Sequence, residues 1–374
     1  MANILGVHNC FGCGLCAVVC KHNVIDMRLN REGFFQPFIL DVNRCIDCGL
    51  CGMVCSYLNS FEEVKPVHSY AAWSMETKVL KTTSSGGVSY EIGKYLMSQG
   101  YKFCGVKYNV ELARAEHYIA DNLQLLELSK GSKYLQSYTK DAFAKINKKE
   151  KYIVVGTPCQ IASFRRYVEL YKCSDNFILL DFFCHGVPSY LLWEKYKKEH
   201  EKDIGKIISA SWRNKKNGWH KSYCITLEGE KKDIYQSQMG KDEFFTLFLG
   251  DACLNQACFK KCKFKYGNSS ADIRIGDFWG SKYEYNDAGV CSAIAFTDKG
   301  DNVLKNAKLE LHEYTFDVVA EGQMKRNPLV PWHYKRTMWS LKNDNIKLSR
   351  IAQPVRISKK ISDYIHRFKE VINL

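Results

Sequence analysis

No stretch of this chain approaches the about 20 consecutive apolar residues needed to cross a bilayer, so no membrane span is expected. Met1 to His8 has no basic segment followed by an apolar run, so no secretory leader is expected. Helix-turn-helix, zinc-finger and aromatic RNA-binding signatures are missing. The formal charge of +14 would admit a nucleic acid or an anionic membrane, but the lysines are dispersed, as in Lys148-Lys149-Glu150-Lys151, Lys197-Lys198 and Lys260-Lys261. Such runs are usually solvated faces. A nucleic-acid partner is not expected, and a nucleotide cofactor or phosphorylated substrate suits the charge as well. No internal repeat is visible beyond two matching cysteine sets.

What the chain has in quantity is cysteine: 17 in 374 residues, enough length for two or three domains with a sizeable core. Without an export signal, that many thiols argue for a cytoplasmic location and for metal ligation over disulfides. Eight of them form two sets of identical spacing, Cys10-x2-Cys13-x2-Cys16-x3-Cys20 and Cys45-x2-Cys48-x2-Cys51-x3-Cys55. In the bacterial two-cluster arrangement, three close thiolates bind one cubane and the distant fourth closes the other. The expected ligand sets are therefore Cys10, Cys13, Cys16 and Cys55 for one 4Fe–4S cluster, and Cys45, Cys48, Cys51 and Cys20 for the second. Gly12, Gly14, Gly49 and Gly52 allow backbone amides close to the sulfurs. The proline that usually follows the fourth cysteine is replaced by Lys21 and Ser56, which removes no ligand. Disulfides or zinc are the alternative reading. Exposed cubanes are oxygen-sensitive, so an anaerobic setting is expected.

Between the sets, Val24 to Val42 alternates around a polar Asn30-Arg31-Glu32-Gly33 turn, a hairpin pattern. An α+β ferredoxin-like domain over residues 1–62 is expected, then a linker from Glu62 to Ser69 interrupted by Pro66. From Tyr70, strands and helices alternate as in an α/β domain, with additional antiparallel strands from Ile207 to Gln236. Its expected parts are residues 70–150 and 151–340, followed by a basic helical tail over 341–374.

A further cysteine group, Cys253-x4-Cys258-x3-Cys262, needs a fourth ligand from elsewhere. Cys159 and Cys184 each follow an expected strand, and strand ends converge on one edge of a sheet, so either could supply it. A third 4Fe–4S cluster is the expectation, against a zinc knuckle or structural thiols. Cys104, Cys173, Cys224 and Cys291 read as core-filling thiols. Ser84-Ser85-Gly86-Gly87 at a helix start offers amides to an anionic group such as a cofactor phosphate. Gly131-Ser132-Lys133-Tyr134 adds a cation, two hydroxyls and an aromatic ring. Either could equally be a plain cap or a solvated turn.

Taken together, Ser85-Gly86-Gly87, Gly131-Ser132-Lys133-Tyr134-Leu135-Gln136-Ser137, Gly156-Thr157-Pro158-Cys159-Gln160, Cys184-His185-Gly186-Val187-Pro188-Ser189 and Asp272-Ile273-Arg274-Ile275-Gly276-Asp277-Phe278-Trp279-Gly280 carry a resemblance. The chain resembles the coenzyme F420 hydrogenase/dehydrogenase beta-subunit family, with an N-terminal two-cluster ferredoxin domain fused on. The resemblance implies an FAD-binding α/β domain and an oxidoreductase that moves electrons between iron–sulfur clusters and a hydride acceptor. It implies that the Ser-Gly-Gly turn and the Gly-Ser-Lys loop line the flavin site, with Lys133 a candidate to stabilise reduced flavin, and that the late cysteines hold a cluster beside it. The expected partners are a ferredoxin-type donor or partner redox subunit and a small-molecule substrate. That substrate would be a deazaflavin-type coenzyme or a compound of surface polysaccharide metabolism. An electron-relay subunit with no substrate site of its own is the other reading. No motif identifies a catalytic side chain.

Overall fold

In the computed structural model, which describes residues 3–60 and 64–372, the cysteine-rich N-terminus is built around a hairpin of β1 (Ile25–Leu29) and β2 (Phe35–Ile39), in register Ile25↔Ile39 to Leu29↔Phe35. The polar turn makes it. Asn30 Oδ1 accepts from Glu32 N and Phe34 N, both at 3.0 Å, and Gly33 takes φ +75°, a left-handed geometry that only glycine adopts without penalty. The tip does not stand free. Gly33 O accepts from Tyr190 N at 2.9 Å, which seats the hairpin on the start of helix Tyr190–Ile204.

The first residues of the expected linker, Glu62 and Glu63, lie outside the described residues. Its last two, His68 and Ser69, are not linker: they open β3 (His68–Ser74), because pairing begins directly after Pro66, with Val67 N on Ala295 O at 2.8 Å. The chain then continues through β4 (Lys102–Asn109), β5 (Arg114–Ala120), β6 (Tyr152–Val155), β7 (Phe177–Phe182), β8 (Ile207–Ser211), β9 (Cys224–Gly229) and β10 (Ile234–Gln238). The last strands are β11 (Ile273–Asp277), β12 (Cys291–Ala295) and β13 (Leu309–Glu313). Eight of these form one mixed sheet in the order β13-β3-β12-β11-β7-β6-β4-β5. β4, β6, β7 and β11 are parallel, and the strands added on either side are antiparallel. β8 to β10 form the separate antiparallel sheet expected from Ile207 to Gln236. The fold is therefore mixed α/β, more mixed than strand–helix alternation alone implied.

Two features aim the sheet at a site. Helices Val88–Ser98 and Pro158–Leu170 bury apolar faces through Ile92, Leu96, Ile161 and Phe164, which fixes the sheet between layers. Across β7 and β11, the fully buried Arg274 and Asp181 meet side by side, Nε to Oδ1 and Nη2 to Oδ2 both at 2.7 Å. Arg274 Nη1 also donates to Tyr266 O at 2.7 Å, so the pair pins the loop that follows the last cysteines to the ends of these strands. Further along, helix Leu348–Ile372 occupies the segment read as a basic tail.

Candidate redox site

The eight N-terminal thiols fall into two neighbouring groups. Cys10, Cys13, Cys16 and Cys55 are buried and share the wall of one small cavity. Burial, and then the neighbouring thiols, push Cys10 up to about 12, Cys13 up to about 11 and Cys16 upward as well. Thiols so placed resist ionisation unless a cation replaces the proton, which is the chemistry of a metal ligand set. In the second group, Cys51 is raised by burial and then by Cys48 and Cys20, its neighbours, while Cys45 packs against the same apolar cluster. Cys48 is exposed. Short helices Leu15–Val19 and Leu50–Met53 begin at Gly14 (φ +80°) and Gly49 (φ +74°), and they carry Cys16 and Cys51. A Cβ on Gly14 would stand 2.2 Å from Thr139 Oγ1, so this turn also lies flush against the larger domain.

At the carboxyl ends of the neighbouring parallel strands β6 and β7 stand Cys159 and Cys184. Both line a second cavity, together with Cys258 and Cys262. Burial raises Cys159, which also feels Cys184, Cys258 and Cys262, and it raises Cys258 to about 12 beside Cys184 and Cys262. The sequence offered Cys159 and Cys184 as alternatives, and the structure brings in both. Cys253 does not join them. It closes the turn that precedes Leu254, which bridges antiparallel to Pro188, and its side chain packs into the apolar core, fully buried. Helix Gln256–Lys260 starts only after Asn255 has capped it, by accepting from Ala257 N at 2.9 Å, so Cys253 and Cys258 do not share a helical face. Among the described residues, no three His, Cys, Asp or Glu side chains converge as ligands of one metal ion. Four thiols around a cavity, each facing its own iron, is the different geometry a cubane requires.

The two cysteine cavities meet at Phe11 and are cross-linked by hydrogen bonds. Ser163 Oγ accepts from Cys13 Sγ at 3.1 Å, Ser56 Oγ donates to Cys159 O at 2.9 Å, and Asn255 Nδ2 donates to Cys10 O at 3.0 Å.

Against the second cavity lies a pocket of about 470 Å³, within the range of small-molecule sites. Both loops singled out in the sequence line it, as do the ends of β6, β7 and β11, where ligands of open parallel sheets bind. Ser84, Ser85 and Gly87 face it along with Gly131, Ser132 and Lys133. Ser132 N donates to Ser84 Oγ at 3.0 Å, which ties the two loops together. Gly86 sits behind, where a Cβ would stand 2.5 Å from Ala72 O. Lys133 differs from expectation: its ammonium bonds the carbonyls of Leu128, Ser129 and Lys130 at 3.1, 2.9 and 2.8 Å, closing the end of helix Leu123–Glu127. Burial pulls Lys133 down to about 7, while those three acceptors favour its charged form.

Tyr134 was part of the Gly-Ser-Lys motif, whereas Arg213, Tyr223 and Lys265, which also line the pocket, carried no functional signal in the sequence, and Trp219 packs outside the lining. Tyr134, Tyr223, Trp279 and Trp219 stack in succession, with ring centroids 5.9, 6.1 and 5.4 Å apart. Arg213 lies 4.6 Å over Tyr223 and pairs with Asp277 at 2.6 Å. Lys265 Nζ donates to Cys184 O at 2.6 Å and His185 O at 2.9 Å. Arg213 and Tyr223 come from a segment legible only as strands, and Trp279 was visible only as part of a motif that carries the family resemblance. Only the fold turns them toward one space.

A mixed α/β sheet with two cysteine-lined cavities beside a ligand-sized pocket describes an iron–sulfur redox protein. Residues 149–317 match the family model for the C terminus of the coenzyme F420 hydrogenase/dehydrogenase beta subunit, and residues 9–58 match a 4Fe-4S dicluster domain. Over those segments the chain is similar to these families, in line with the resemblance its motifs carry. It is an iron–sulfur electron-transfer protein related to the F420 hydrogenase/dehydrogenase beta subunits. Among solved structures it is similar to a chain of the F420-reducing NiFe hydrogenase complex from Methanosarcina barkeri, with 15% identity over 80% of this chain and 94% of that one, at a TM-score of 0.48. No curated protein matches the chain. Among the described residues, no helix is long and apolar enough to cross a membrane.

Proposed function

We propose that this protein is an iron–sulfur flavoprotein oxidoreductase, taking electrons from a ferredoxin-type donor or partner redox subunit and reducing a small molecule in the 470 Å³ pocket. The observation that carries the proposal is continuity. The cavity of Cys10, Cys13, Cys16 and Cys55 shares Phe11 with that of Cys159, Cys184, Cys258 and Cys262, which in turn shares Thr157, Gln160, Cys184 and Lys265 with the pocket. In this reading Cys20, Cys45, Cys48 and Cys51 hold the outer 4Fe–4S cluster, the buried N-terminal set holds the next, and the late set with both strand-end cysteines holds a third. Cubanes move one electron at a time, and bound FAD would convert such steps into hydride delivery.

The chain's own residues do the positioning. Gly87 opens helix Val88–Ser98 toward the pocket, so the positive end of the helix would face a cofactor phosphate. Tyr134 and Tyr223 supply flat apolar surface for a planar ring. Arg213 and Lys265 keep positive charge at the pocket wall, favouring a group that gains negative charge on reduction. A deazaflavin-type coenzyme suits a pocket of this polarity. The relay reading, with no substrate site, would leave the pocket without a purpose.

Anaerobic purification tests this. The expected preparation contains about twelve irons, four per cubane, and one flavin. Eight irons and no flavin would reject the proposal in favour of the relay. Replacing Cys159, Cys184, Cys258 or Cys262 by serine is expected to bring the count to about eight irons, whereas Cys253→Ser keeps about twelve.

A further inference from the structure

Beyond the pocket, the chain becomes one-sidedly basic. Residues 325–364 contain ten lysines and arginines and two acidic residues, Asp344, which Lys198 already holds at 2.6 Å, and Asp363. Large apolar side chains stand exposed in the same region: Leu329 is 89% exposed, Trp332 71% and Tyr364 71%, with Ile357 and Ile361 also open. The helix explains part of this. Leu348, Ile351, Ala352 and Val355, at i, i+3, i+4 and i+7, are buried and fasten its first half to the body. Past Val355, among the residues whose side chains are described, the apolar positions are Ile357, Ile361 and Tyr364, at i, i+4 and i+7 on another side, and they face solvent. Trp332 Nε1 donates to Ser358 Oγ at 3.0 Å, which brings the exposed tryptophan against this half of the helix.

A single exposed leucine or isoleucine is ordinary. A tryptophan, a tyrosine and three aliphatic side chains set among exposed Lys335, Arg336, Lys359 and Lys360 are not scattered in this way by chance. That combination matches a bilayer interface. Basic side chains meet anionic headgroups, aromatic rings sit at headgroup depth, and aliphatic ones enter the acyl boundary without spanning it. A nucleic acid would use the cations but leave Leu329, Ile357 and Ile361 in water. We propose that the surface formed by residues 325–336 and the exposed helix residues Ile357, Lys359, Lys360, Ile361 and Tyr364 docks the protein on an anionic lipid bilayer. The surface adjoins the pocket: Gln323 and Met324 belong to the pocket wall, and Asn327 Nδ2 donates to Cys262 O at 2.9 Å. Docking would turn that rim toward the membrane. The docking itself does not depend on what the pocket holds.

The full chain, purified anaerobically, would be mixed with phosphatidylglycerol vesicles or with phosphatidylcholine vesicles and followed by co-sedimentation and tryptophan emission. The proposal expects partition onto phosphatidylglycerol at low salt, a blue shift in emission, and little binding to phosphatidylcholine. Lys359→Glu with Lys360→Glu is expected to lower the partition about thirtyfold. Leu329→Ser with Trp332→Ala should weaken vesicle binding while leaving binding to heparin unchanged. If the double charge reversal loses iron, Lys359→Gln with Lys360→Gln replaces it, with a smaller loss expected. No association with phosphatidylglycerol would overturn the proposal. So would association that the apolar substitutions leave untouched, because the face would then be a general polyanion binder.

Discussion

Ser163 Oγ, on helix Pro158–Leu170, accepts from Cys13 Sγ at 3.1 Å, although the two residues are 150 positions apart in the chain. The same oxygen accepts from Ser56 N at 3.0 Å and donates to Ser56 Oγ at 2.9 Å. One hydroxyl thus joins the N-terminal cysteine domain to the helix that begins beside Cys159.

Removing it has two expected consequences. In Ser163→Ala the buried Ser56 N–H loses its acceptor, a loss of about 1–3 kcal/mol, visible as a lower urea midpoint. With Cys13 ligated as thiolate, Ser163 becomes a donor to sulfur, and its loss should lower the reduction potential of the cluster held there. Redox titration followed by EPR reads this directly, and an unmoved potential would mean that the contact does not reach the metal.

Gly86 offers a separate handle on the pocket. A Cβ there would stand 2.5 Å from Ala72 O and 2.9 Å from Cys291 N, both backbone atoms that cannot yield cheaply. Gly86→Ala should push the Ser84-Ser85 turn off the sheet at a stability cost of about 1–3 kcal/mol. The flavin of the proposed function should be lost while iron content stays at the wild-type value, since the cysteine against this turn, Cys291, belongs to none of the proposed ligand sets. Equal loss of both cofactors would point to general unfolding.

His117 makes stability depend on pH. It is buried on β5, its Nε2 meets Val155 O at 2.9 Å, and its Nδ1 has no partner. Burial lowers its pKa to about 4, below the unfolded value of 6.5. As pH falls below 6.5 the unfolded chain takes up a proton that the folded chain refuses, so stability declines toward pH 4. Between pH 7 and 5.5 this single group should remove about 1 kcal/mol. In His117→Phe that increment should vanish from the difference in urea midpoints at the two pH values; an unchanged difference would remove His117 as the cause.

The eight N-terminal cysteines were legible because their grouping is set by chain spacing over a few residues, and the structure keeps the pattern in Cys10, Cys13 and Cys16 with Cys55. The hairpin between Val24 and Val42 and the antiparallel strands from Ile207 to Gln236 were legible for the same local reason, their composition and flanking turns. The Ser-Gly-Gly turn and the Gly-Ser-Lys loop were recognisable as motifs, yet nothing local reveals that they are tied together by Ser132 and Ser84.

What the sequence by itself determined is therefore the chemistry on hand: two cubane-type cysteine sets, a late group of thiols, and glycine-rich turns of a known family. Which of those thiols meet was decided only by tertiary structure. Cys159 and Cys184 come together because β6 and β7 are parallel neighbours, so their ends reach one edge, while Cys253 sits inward in the turn before Leu254 bridges to Pro188. Spacing governs contacts within a turn or two of chain; convergence of residues a hundred positions apart is a property of the sheet.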